Sequence, residues 1–95
     1  MARGAIRGIV KDEYGIPLAD ITIVIVSGPD HQDMAALTGT DGRFDFGNLP
    51  TGRYLLRAYG NDSESKDIAV MVFPMKIAFI EVRIETAFID DDNEM

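Results

Sequence analysis

The segment Pro29-Asp30-His31-Gln32-Asp33 holds the only histidine of this 95-residue chain, with a carboxylate on either side. Such donors can bind a divalent ion, and Asp41 or Asp45 could add oxygens to them. Hard cations take six or more oxygen ligands, and this loop lacks the spacing of a helix–loop–helix calcium site. Asp30, His31 and Asp33 are therefore weak candidate metal ligands, set against the simpler reading of a solvated loop. Phe44, Phe46 and Tyr54 are a second candidate group, as a stacking platform for a sugar. The chain has no Trp, and Phe44 and Phe46 alternate with Arg43 and Asp45, which puts both rings on one strand face as core residues. Tyr54 opens a strand after a turn, where a buried ring with its hydroxyl bonded to nearby backbone is common. No nucleophile–base pair or metal-ligand cluster is visible. The expectation is a non-enzymatic protein with no cofactor.

A surplus of apolar residues is the stronger signal. If Ile68, Val70 and Val72 face inward, alternation turns Ala69, Met71 and Phe73 outward. Ile77 and Phe79 then share the outward side with Glu81, and Met75 lies between the two segments. Val24 and Val26 occupy the second face of residues 20–27. Phe88, between Ala87 and Ile89, adds an apolar patch just before a run of acid. Contiguous exposed apolar surface marks an interface, and methionine suits an adaptable one. Val24, Val26, Met71, Phe73, Met75, Ile77, Phe79 and Phe88 are thus the candidate interface residues. The competing reading is cover from within the chain, by the C-terminal segment or the loop near Pro74.

The elements that must position these residues are short. Seven apolar segments can be counted, each closed by turn chemistry: residues 5–11, 20–27, 34–40, two strands within and after residues 38–54, then 66–73 and 76–86. Residues 20–27 are β-branched at nearly every position. Asp41-Gly42 offers two adjacent positive-φ residues for a tight two-residue hairpin. Leu49-Pro50-Thr51-Gly52 reads as a second turn, with Pro setting φ and Gly tolerating the reversal. No window holds helical periodicity. Strands at intervals of about 8–12 residues predict an all-β sandwich of seven strands, with the domain at residues 1–86 and a short apolar, then acidic, tail at 87–95.

Composition bounds the rest. Hydrophobic content of 46% with mean hydropathy +0.02 describes a folded chain. The absence of cysteine removes disulfides and thiolate metal sites. Net charge is −7, of which Asp90, Asp91, Asp92 and Glu94 carry more than half. Basic residues are scattered singly, which disfavours nucleic-acid binding. No apolar run approaches a membrane span, and the first residues lack the apolar core of a signal peptide. A cytoplasmic protein with no membrane insertion is expected.

Three stretches carry a family resemblance: Gly8-Ile9-Val10-Lys11-Asp12-Glu13-Tyr14-Gly15-Ile16-Pro17-Leu18-Ala19-Asp20-Ile21, Thr40-Asp41-Gly42-Arg43-Phe44 and Leu49-Pro50-Thr51-Gly52-Arg53-Tyr54-Leu55-Leu56. In these the chain resembles the carboxypeptidase regulatory-like domains, over residues 6–84. The resemblance implies a Greek-key-like, transthyretin-like (prealbumin-like) sandwich related to the collagen-adhesin B-type repeats, and no catalytic activity. Enzymes of related architecture use convergent His and Arg residues, or paired His and Tyr ligands to iron; one His supplies neither. An intramolecular Lys–Asn isopeptide, as in the adhesin repeats, would use Lys11. The last strand offers no Asn, and Arg57 stands where those repeats carry the acid. The expected function is a structural or protein-interaction module, a self-associating subunit or accessory component of a larger assembly. The alternative is a ligand- or calcium-binding module using the 30–33 loop and the Asp41-Gly42 turn at one end of the sandwich.

Overall fold

The computed structural model describes residues 2–29, 34–60 and 63–85. Alternating or β-branched runs become seven strands: β1 (Arg3–Lys11), β2 (Thr22–Ser27), β3 (Ala35–Leu37), β4 (Arg43–Pro50), β5 (Gly52–Tyr59), β6 (Ile68–Val72) and β7 (Ile77–Arg83). They form two facing sheets, in the orders β4-β1-β7 and β3-β2-β5-β6. All neighbours run antiparallel except β1 and β7, which pair in parallel from Ala5↔Ile77 to Lys11↔Arg83. The expected seven-stranded sandwich is what forms.

One face of each strand fills the space between the sheets. Ile6, Val10, Phe44, Phe46, Val82 and Ile84 come from the three-stranded sheet and its extension. Ile23, Ile25, Tyr54, Leu56, Val70 and Val72 meet them from the other. Phe44 and Phe46 pack edge to face, ring centroids 6.2 Å apart, an arrangement that suits the quadrupoles of two rings. Tyr54 is fully buried, and its hydroxyl donates to the Pro50 carbonyl at 2.5 Å. The aromatics are spent on the core.

Both turn readings need correction. Asp41-Gly42 is not a two-residue hairpin, because only Gly42 has positive φ (78°). The Gly42 amide closes a four-residue turn on the Gly39 carbonyl at 2.9 Å, and the Gly42 carbonyl accepts from Val10 at 2.8 Å. This turn carries the chain from β3 in one sheet to β4 in the other. Nor is Leu49-Pro50-Thr51-Gly52 a reversal within a sheet. Thr51 alone separates β4 from β5, and the chain crosses between sheets there, with Gly52 at φ 141°. Local sequence announced a change of direction in each case, but not the sheet in which the next strand would lie.

The second strand starts at Thr22 rather than at residue 20. Asp20 adopts φ 61° and its amide donates to the Thr38 carbonyl at 3.1 Å. The buried Thr38 hydroxyl donates to the Leu18 carbonyl at 2.7 Å and accepts from the Ile21 amide at 2.9 Å. Asp12, also buried, accepts from the amides of Tyr14 and Ile16 and so shapes the β1–β2 loop. These polar side chains replace backbone partners that an irregular loop would otherwise lack.

Candidate interaction surface

β6 and β7 are the edges of different sheets on the same side of the sandwich. The corner joining them, Phe73-Pro74-Met75-Lys76, is tied to the start of β1. The Met75 amide donates to the Arg3 carbonyl at 2.8 Å, and the Ala5 amide donates to the Lys76 carbonyl at 3.0 Å. Met75 holds φ 57°, a conformation non-glycine residues seldom adopt. The side chain that results is 92% exposed.

Gly4 lets the corner sit this close. A Cβ there would collide with the Phe73 carbonyl oxygen and lie 2.9 Å from that of Lys76. Around the corner five apolar side chains are exposed: Met71, Phe73, Met75, Ile77 and Phe79, the last at 71%. The alternation expected for β6 and β7 is therefore present, and no described segment covers the outward side. Val26 is exposed, at the end of β2. Val24 is only half-buried, between cross-strand neighbours Ala35 and Arg57. Phe88 lies outside the described residues, as do Asp30, His31 and Asp33.

Charge around the strip is uneven. On the outer face of the three-stranded sheet, Phe79 stands beside Arg7, and Arg7 beside Asp45. These residues, with Ile9, Arg43 and Glu81, contribute to an open groove of about 660 Å³. Glu81 accepts from Arg83 Nε at 2.7 Å and lies 3.5 Å from Lys11 Nζ. The Arg83 hydrogen bond, reinforced by the Lys11 charge, holds the Glu81 carboxyl below its ordinary range. Arg53 faces Met71 across β5–β6, and Lys76 follows Met75. Among the described residues no carboxylate pairs with Arg7, Arg53 or Lys76.

The described oxygen donors of the metal reading, Asp41 and Asp45, have neighbours of their own. Pro29, which leads into the 30–33 loop, packs at Gly52, while the Asp41-Gly42 turn packs on Val10, Pro17 and Leu18. Among the described residues, Pro29 and the Asp41-Gly42 turn thus stand at opposite ends of the sandwich. The Asp41 carboxylate serves its own turn, accepting from the Arg43 amide at 3.0 Å. Asp45 lies on β4 beside Arg7. Among the described residues no three His, Cys, Asp or Glu side chains gather as a metal would need.

Sequence reasoning missed one polar cluster. Arg57 Nε donates to Asp67 Oδ1 at 2.6 Å, and Arg57 also donates to the Tyr59 hydroxyl at 2.9 Å. Only the placement of β5 beside β6 brings Asp67 to Arg57, so no local motif announces it. Asp67 is held below its ordinary range chiefly by the Arg57 hydrogen bond, and the Arg57 guanidinium is shifted upward by Asp67. Neighbouring Ser65 is committed to the fold: its hydroxyl accepts from the Ala58 amide and donates to the Lys66 carbonyl, both at 2.9 Å. The cluster braces the β5–β6 connection and presents no activated nucleophile.

Asp67 and Glu81 give a pH prediction with a definite sign. Both folded-state values lie below the ordinary 3.8 and 4.5. Their stabilising contributions are complete above those values and are lost as pH falls through the lower folded ones. The melting temperature of the wild type should therefore fall more steeply below about pH 4 than that of Asp67→Asn. Identical acid limbs in the two thermal-melting profiles would remove Asp67 from the account.

Comparison with known proteins gives the family and the fold. Residues 5–75 match the carboxypeptidase regulatory-like domain, and the chain belongs to that family. Among solved structures the chain is similar to the Bacillus anthracis TIE protein, with a TM-score of 0.76 and 17% identity over 88% of this chain and 16% of that one. It is also similar to GBS52, the minor pilin of Streptococcus agalactiae, with a TM-score of 0.75 and 13% identity over 95% of this chain and 47% of that one. BcpA, the major pilin subunit of Bacillus cereus, has a TM-score of 0.72 and 11% identity over 90% and 31%. The chain spans less than half the length of each of these three proteins. No curated protein matches it in sequence.

Proposed function

We propose that this domain is a protein-interaction module of a multi-subunit assembly, and that it docks through the β6–β7 corner. The observation that carries the reading is the exposed strip Met71, Phe73, Met75, Ile77 and Phe79, on a corner pinned to β1 by backbone hydrogen bonds. Strips of this kind are costly to leave in water and rewarding to cover, at roughly 25 cal/mol per Å² of apolar surface buried. β6 and β7 are also edge strands among the described residues, and such edges can pair with an incoming strand. That two structural neighbours are pilin subunits supports an assembly role.

The double substitution Met71→Glu/Phe79→Glu tests this. Both side chains point away from the core, so the melting temperature should stay within a few degrees of wild type. Association, followed by light scattering and by pull-down of partners, should be lost. A wild type that is monomeric and captures no partner, with the variant behaving identically, would sink the proposal.

A further inference from the structure

Resting on that reading, we infer that the occupant of the strip is the segment 86–95 of a second copy of this chain, giving a head-to-tail contact. Residues Ala87, Phe88 and Ile89 are apolar, and Asp90, Asp91 and Asp92 follow at once. The strip has the complementary order of properties. Apolar side chains from Met71 to Phe79 are flanked by Arg3, Arg53 and Lys76, all at the same end of the sandwich. Of the described carboxylates, only Asp45 and Glu81 lie along the strands near this surface; the others stand at the opposite end. An apolar-then-acidic segment therefore finds both of its requirements met in one place.

The apolar residues of the chain's own segment cannot cover the whole strip. β7 runs away from the strip, and Glu85 lies eight residues beyond Ile77. At about 3.3 Å per residue this separates them by about 26 Å. Phe88, three residues further on, lies at most about 11 Å from Glu85 even if the chain doubles straight back. That reach takes in Phe79 at most and stops short of Ile77, Met75 and Phe73. A symmetric contact of strip against strip is also disfavoured, because it brings Arg3, Arg53 and Lys76 of two copies together. A contact between the strip of one copy and the segment of another is heterologous, and it propagates unless its rotation closes a ring.

Mixing full-length variants distinguishes this contact from a symmetric one. Phe88→Asp/Ile89→Asp keeps the strip and spoils the segment; Phe79→Glu does the reverse. In sedimentation velocity the wild type should associate with rising concentration, and less so as salt is added. Each variant alone should be monomeric, and their mixture should form a one-to-one heterodimer and nothing larger. Lys76→Glu should weaken association, and Asp91→Lys in its partner should restore it. A synthetic peptide of residues 86–95 should dissociate wild-type assemblies.

A wild type that stays monomeric at every concentration overturns the inference. So does a mixture of the two variants that remains monomeric, or association that survives Phe88→Asp/Ile89→Asp. If that last variant associates normally while Phe79→Glu does not, the strip remains a docking surface and only its occupant has been misassigned.

Discussion

Tyr54→Ala is expected to lower stability by about 3–5 kcal/mol, the range found when large buried aromatics are truncated. The ring is fully buried at the start of β5, beside the single residue by which the chain passes from one sheet to the other. Such a loss is comparable with the whole stability of many small domains, about 5–15 kcal/mol. The variant should show a melting temperature lower by about 12 °C or more, at about 4–8 °C per kcal/mol for a chain of this size. Tyr54→Phe isolates the hydroxyl bond to Pro50 and should cost only about 0.5–1.5 kcal/mol. Equal losses in the two variants would show that the hydrogen bond, rather than ring packing, dominates.

Gly4→Val carries the second large expectation, because it strikes core and surface together. The added side chain meets the carbonyl oxygens of Phe73 and Lys76 and the side chain of Val72. A backbone carbonyl cannot rotate aside as a side chain can, so the corner itself has to shift. A destabilisation of about 1–3 kcal/mol is expected for overpacking of this kind. Hydrogen exchange should quicken at the Ala5 and Met75 amides, whose bonds join the corner to β1. Gly47→Ala is the control, since a Cβ at that position meets nothing within 4 Å. If Gly4→Val melts like wild type with those two amides still protected, the corner is not held as described.

The sequence disclosed the seven strands and the inward faces because both are written in period-two alternation. Ile68, Val70 and Val72 against Met71 and Phe73 is a pattern that needs no tertiary knowledge to be read. The same alternation made the candidate strip legible. Turn chemistry was less informative. Asp41-Gly42 and Pro50–Gly52 signal bends, yet whether the next strand pairs with the last or crosses to the facing sheet depends on contacts distant in sequence. The positive φ of Met75 could not be foreseen, because the conformation is imposed by bonds to β1 some seventy residues earlier. The Arg57–Asp67 pair was hidden for a related reason: it exists only once β5 and β6 are aligned.

The parallel pairing of β1 with β7 has a kinetic consequence. Ala5 finds its neighbour Ile77 only after nearly the whole domain has been made. Emerging from a ribosome, β1 can pair with β4 but must wait for the last strand before its other edge is filled. The β4-β1-β7 sheet thus depends on a pairing distant in sequence for its final step. Folding should belong to the slow, non-local regime, with an exposed edge on the half-made sheet until synthesis has passed Arg83.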